Sequence, residues 1–175
     1  MKNRFNILLF CTMLLMVACT QSQSNLQAGI KAMESKIANS TTTDTAACDS
    51  VIHLYENYCS QFKDDTCCAD YFFKAAELSV RLGKYQQAVE FYGNTQRFTV
   101  YRKGARALFL QGFISENNLH DKNAAREYYT RFIIKFPNHK MTPEVKMLLE
   151  SLNMTDEMLI KQLQQANNTS ITKNC

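Results

Sequence analysis

An all-α fold is predicted, and three observations predict it. Only 5 Gly and 2 Pro interrupt 175 residues, of which 46% are apolar, so turn-rich β architectures are disfavoured. Apolar residues recur three and four apart through the middle of the chain, the period of one helix face. One plan, helix, tight stop, helix, occupies residues 69–98 and returns over 104–140. Phe72 and Leu108 stand 36 residues apart, and Ala88 and Ala125 stand 37 apart. A hairpin of two helices cannot bury its apolar face alone, so hairpins that recur are expected to stack into a short α-solenoid. The length suits one buried core, and a single domain is the default.

The first element is a leader. Residues 1–18, MKNRFNILLFCTMLLMVA, open on Lys2 and Arg4, run apolar from Ile7 to Val17 and end on small Ala18. This is the layout of a secretory signal, with an apolar part shorter than the ~20 residues a spanning helix needs. Met16-Val17-Ala18-Cys19 resembles the lipobox of bacterial lipoproteins, with Met16 where those families usually carry Leu. The resemblance implies that Cys19 takes a diacylglyceryl group on sulfur and becomes the acylated N-terminus, carrying palmitate-like chains. Cys11 follows bulky Phe10 and does not fit such a processing site. The alternative is an ordinary signal cleaved after Ala18, with Cys19 left as a plain thiol. Two or three acyl chains anchor lastingly where one is marginal. Thr20, where inner-membrane lipoproteins of enteric bacteria carry Asp, implies an outer-membrane address in the cell envelope. Residues 19–23 are expected to be the lipid tether, 24–165 the repeat domain and 166–175 a disordered tail.

Leu26, Ile30, Met33 and Ile37 form one helical stripe, with Ser24 as its expected N-cap. NSTTTDT, residues 39–45, breaks the pattern, and Asp44 is expected to cap a second helix. That helix runs to about Phe62 and carries Ala47, Val51, Leu54, Tyr55, Tyr58 and Phe62 on one side. KDDTCC, residues 63–68, is expected to be a turn. A helix then extends to Leu82, Gly83 supplies a left-handed stop, and Tyr85, Ala88, Val89 and Tyr92 begin the return helix. The second hairpin starts at Gly104, turns through ENNLHDKN and ends its return helix at Pro137. Pro143 opens a further helix with Val145, Leu148, Leu149 and Leu152 as its stripe. Thr155, with Asp156 and Glu157, is expected to cap a last one over residues 155–165.

These hairpins resemble tetratricopeptide repeats, which place a large apolar residue and a small one on the first helix, then Ala-x-x-x-aromatic on the second. Phe72, Ala75, Ala76, Ala88 and Tyr92 match in one unit; Leu108, Gly112, Ala125, Tyr129 and Pro137 match in the next after a one-residue insertion. Tyr58, 34 residues before Tyr92, marks a degenerate first unit. The order of the chain is similar to small repeat lipoproteins of Bacteroidetes-type bacteria and, more distantly, to the repeat lipoprotein of the β-barrel assembly machinery. The resemblance covers roughly residues 45–165, and the assembly lipoprotein's activity is not carried over, because that protein has five or more repeats. The family implies a concave groove on the first helix of each hairpin, which places Asp70, Phe73, Glu77 and Arg81 in one unit and Arg106, Phe109, Phe113 and Glu116 in the next. Aromatics among charges of both signs suit a peptide with one or two apolar anchors. The opposing reading has the N-terminal helix filling the groove and these Phe residues serving as core.

Little in the chain points to catalysis. His53, His120 and His139 form no H-x-x-x-H pair, and the chain has no Gly-rich phosphate loop or Gly-x-Ser-x-Gly elbow. The formal charge of +4 falls to +2 from residue 19 onward once Lys2 and Arg4 are removed, which is too weak and too scattered to suggest a nucleic-acid partner. Among the cysteines, Cys48 and Cys59 lie about 16 Å apart on one predicted helix and cannot bridge each other. Cys59 is placed to pair with Cys67 or Cys68 across the turn, or all three are small buried hydrophobes at helix contacts. A metal site from Cys48, His53, Cys59 and Cys67 has no recognised spacing.

The expectation is therefore a non-enzymatic, lipid-anchored envelope protein that binds protein or peptide partners. It needs no cofactor beyond lipid on Cys19, no metal, no small-molecule substrate and no nucleic acid. Two other readings stay open: a structural subunit of an outer-membrane complex that uses its convex face, and a redox protein that uses its cysteines.

Overall fold

In the computed structural model, residues 22–39, 44–98 and 102–153 are described, and they contain seven helices and no strand. Helix α1 spans residues 22–38. It is followed by α2 (Thr45–Gln61), α3 (Cys67–Arg81), α4 (Tyr85–Thr95), α5 (Gly104–Asn117), α6 (Lys122–Lys135) and α7 (Thr142–Asn153). The all-α architecture of helix hairpins expected from the sequence is what forms among the described residues. The chain divides into two compact units, Met1–Tyr101 and Arg102–Cys175. The expected signal at 1–18, the expected lipidation site Cys19, the helix expected at 155–165 and the tail expected at 166–175 fall outside the described residues.

Several helix ends follow from capping chemistry. The Asp44 carboxylate accepts the Ala47 N–H and opens α2, and Asp121 accepts the N–H groups of Asn123 and Ala124 to open α6. Gly83 ends α3 at φ 72°, where the Gly83 N–H reaches the Val80 carbonyl and the Lys84 N–H reaches that of Ser79. That pair of bonds is the Schellman stop, and it needs a left-handed residue that glycine adopts without steric cost. In the second unit the corresponding left-handed position is filled by His120, at φ 54°. His120 is thus a turn residue of the α5–α6 hairpin, as its place in ENNLHDKN implies.

Three boundaries depart from expectation. α1 begins at residue 22, so Ser24 lies inside the helix instead of capping it, and residues 22 and 23, expected as the end of a tether, are helical. Cys67 and Cys68 open α3 and do not belong to the turn. The reason is Asp65, whose Oδ1 accepts the Cys67 N–H at 2.8 Å and supplies the missing partner at the helix start. α6 ends at Lys135, two residues before Pro137.

In the first unit, α3 is the centre, packed against α2 on one side and α4 on the other. Tyr71 of α3 stacks on Tyr55 at 5.1 Å and meets Tyr58 edge-on at 5.0 Å. Phe72 and Phe73 face Phe91 and Tyr92 of α4. Ala75, Ala76 and Ala88 are fully buried and let α3 and α4 approach closely.

α1 joins this unit by the predicted stripe, with Ile30 fully buried and Leu26, Met33 and Ile37 half-buried. Polar ties fix its register. Gln23 and Gln27 donate to the Tyr58 hydroxyl, and Gln23 also donates to Asp65. Glu34 accepts from the Tyr55 hydroxyl at 2.6 Å and from Lys74 at 2.8 Å. Burial pushes both tyrosines up, Tyr58 to about 12, and the carboxylate acceptors add to the rise. Burial opposes ionisation of Glu34 and Asp65 too, but their hydrogen bonds outweigh it. Lys74 and Tyr55 hold Glu34 below the ordinary carboxylate range, and Tyr58, Cys67 and Gln23 do the same for Asp65.

The second unit has its own core, in which Leu108, Ala125, Tyr129, Phe132 and Val145 are buried together. A Cβ placed on Gly112 would lie 2.5 Å from Cε1 of Tyr129, so α5 presses directly on that ring. α7 is tied to α6 by Arg126, which donates to the Leu152 carbonyl and the Asn153 side chain.

Two outcomes follow from these contacts. Gly112→Ala drives a methyl into a ring that is itself fully buried, and chemical denaturation should show a loss of about 1–3 kcal/mol. Carboxylates with depressed pKa stabilise the fold above their unfolded pKa, and that stability drains as pH falls below about 4. Asp65→Asn should lower Tm at pH 7 and flatten its decline between pH 5 and 3 relative to wild type.

Candidate functional site

The surface that the sequence nominates for partners lies on α3 in the first unit and on α5 in the second. On α5, Leu108, Gly112 and Ser115 turn inward, so the helix presents Arg106, Phe109 and Phe113 on its other side. Phe109 leans on Tyr129 at a ring distance of 6.3 Å and on Phe113 at 6.0 Å. Phe113 is 43% exposed, an unusual state for so large an apolar ring. The half-buried Phe109 therefore acts as a floor, and Phe113 stands on it as an accessible edge. Arg106 is exposed one turn before Phe109. Glu116 is half-buried and accepts the Tyr129 hydroxyl at 2.8 Å, so its carboxylate also supports the core ring beneath the surface.

On α3 the outcome is mixed. Asp70, Glu77 and Arg81 are exposed, as the groove reading requires. Phe73 is only 1% exposed and meets Tyr92 of α4 edge-on at 5.2 Å, so it is a core residue and not a partner contact. The spacing by three and four from Asp70 and Glu77 put it on their stripe. Because α3 is covered from two sides, 8 of its 15 residues are buried, and that arc includes position 73. For Phe73 the reading of these phenylalanines as core is the correct one. α1 comes near the same surface, since Glu34 takes Lys74, which lies between Asp70 and Glu77 on α3.

The polar residues considered for chemistry find structural partners. His53 is exposed and contacts Glu56 at 3.3 Å. The His139 ring lies against Phe132 and Phe136, and its Nδ1 accepts the Met141 N–H. Among the described residues, no group of three or more His, Cys, Asp or Glu side chains could hold a metal ion. The four described cysteines are free thiols, with Cys48, Cys59 and Cys68 buried and Cys67 exposed. Burial pushes the thiols of Cys59, Cys67 and Cys68 up, which keeps them protonated and poorly nucleophilic near neutral pH.

Sequence reasoning missed Ile134 on α6 and Met147 on α7, which are 75% and 64% exposed. Ile134 adjoins Ile133, which packs on the core, so the apolar run itself gave no sign of which residue points outward.

Residues 106–139 match the family model for the tetratricopeptide repeat, which spans most of α5, all of α6 and the Pro137 turn. The sequence has no significant match among curated proteins. Among solved structures, the crystal structure of MamA is similar at 12% identity, covering 84% of this chain and 94% of that one with a TM-score of 0.41.

The two phenylalanines should separate cleanly in a stability assay. Phe73→Ala is expected to cost about 3–5 kcal/mol by denaturant unfolding, whereas Phe113→Ala should cost about 1 kcal/mol or less.

Proposed function

We propose that this chain is a non-enzymatic scaffold, lipid-anchored at Cys19 in a bacterial cell envelope, that binds protein partners through its tetratricopeptide-like repeats. The observation that carries the reading is the repeat matched over residues 106–139, whose first helix leaves Phe113 exposed beside Phe109. Repeats of this kind generally mediate protein–protein contacts and are typically non-catalytic. An exposed aromatic on the helix that also carries Arg106 is the sort of anchor on which binding energy concentrates. The anchor rests on the lipobox-like Met16–Cys19 and the short apolar leader before it. Among the described residues, no helix is long and apolar enough to cross a membrane.

A second reading has its own support. Ile134 on the return helix of the same repeat is the more exposed apolar side chain, and it favours a structural subunit that docks through its convex face.

Affinity purification from detergent-solubilised envelopes distinguishes the two. Phe113→Asp should lose at least ten-fold of the recovered partner while Ile134→Ser keeps it, and the reverse pattern supports the convex-face reading. Labelled palmitate should be incorporated by wild type and lost in Cys19→Ala; incorporation that persists in the variant removes the anchor.

A further inference from the structure

Cys59 sits in the last turns of α2 and Cys68 in the first turn of α3, with the short turn of residues 62–66 between the two helices. Both are buried, at 4% and 0% exposure, where α2 packs against α3. The Cys68 thiol donates onward to the Phe62 carbonyl at 3.4 Å, which fixes its sulfur under the turn. Cys67 is exposed on another side of α3, and Cys48 lies three helical turns before Cys59.

We infer that Cys59 and Cys68 are a disulfide-forming pair, a redox-sensitive staple between α2 and α3 that controls how α1 is seated. Two S–H bonds break and one S–S bond forms; two protons leave to solvent, and two electrons reduce the disulfide of a small-molecule or protein oxidant to two thiols. Both side chains lie in this buried contact, so closing to a bond of about 2.05 Å asks for a shift of the side chains and the short turn. Of the two partners open to Cys59 from the sequence alone, burial selects Cys68 and leaves Cys67 a surface thiol.

The consequence lies in what the closed loop contains. Residues 59–68 include Asp65, whose carboxylate accepts from Tyr58 of α2, from the Cys67 N–H that begins α3 and from Gln23 of α1. Cross-linking the ends of this loop restricts the turn that positions Asp65. α1 is held by that carboxylate and by its neighbour Tyr58, so its docking tightens when the pair is oxidised. The high thiol pKa values make exchange slow near neutral pH and are consistent with a pair oxidised by a dedicated protein disulfide. The pairing does not depend on the partner-binding reading.

The test uses the full chain in detergent, equilibrated with oxidised glutathione or with dithiothreitol and mapped without reduction. Trypsin cuts after Lys36, Lys63 and Lys74, so Cys59 falls in peptide 37–63 and Cys68 in peptide 64–74. Oxidised protein should yield these two peptides linked, with fragmentation placing the bond at Cys59–Cys68. The link should persist in Cys67→Ser and Cys48→Ser and vanish in Cys68→Ser. The oxidised form should melt on the order of 5–10 °C higher than the reduced form, with slower amide exchange over residues 22–38. A Cys59–Cys67 or Cys67–Cys68 link overturns the pairing, as does a wild-type chain whose thiols all remain titratable after equilibration. Equal exchange of residues 22–38 in the two states overturns the control of α1.

Discussion

The close approach of two helices at small residues is the constraint on which the rest of this structure depends. In the second unit it occurs at Gly112, where α5 lies so near the Tyr129 ring that even a methyl group would collide. In the first it occurs at Ala76 and Ala88, both fully buried in the α3–α4 hairpin. Around these crossings the large side chains divide: Phe72 and Phe73 pack across the hairpin on Phe91 and Tyr92 of α4, whereas Phe113 of α5 is 43% exposed. The exposed aromatic edge therefore lies on the same helix that Gly112 brings against Tyr129.

Tyrosine supplies the second layer of organisation. Tyr55, Tyr58 and Tyr129 are buried, yet each hydroxyl ends on a carboxylate: Glu34, Asp65 and Glu116. Such a ring packs as a hydrophobe, while its hydroxyl selects one register among several that apolar contact alone would allow. This is how α1 is fixed. Its apolar stripe has only one fully buried member, Ile30, and side chains from α2, α3 and the turn between them decide where it lies. In the second unit, Glu116 anchors Tyr129 from the surface of α5, so a position nominated as a partner contact also supports the core.

Much of the fold was legible because its signals are local. The stripes at three and four residues, the Asp44 cap and the Gly83 stop each depend on residues within one or two turns of helix. Cys67 and Cys68 fall in α3 and not in the turn because a helix end can be satisfied by a group that local pattern does not single out. Asp65 caps α3 from one residue before its N-cap position, and its other oxygen is occupied by two further helices. His120 in a left-handed turn is a similar case, because that position ordinarily selects Gly or Asn.

The sequence by itself determined the class of fold, the helix hairpins and the small residues at their crossings, because periodicity and steric minima are properties of neighbours along the chain. It also nominated the partner-facing positions, and of these Asp70, Glu77, Arg81, Arg106 and Phe113 are exposed. Only the tertiary structure decided that Phe73 is core, that Cys68 is buried like Cys59 while Cys67 is a surface thiol, and that Ile134 points to solvent. A helix does not record how many of its sides other helices will cover. That number, set by packing between segments distant in sequence, separates a buried phenylalanine from an exposed one.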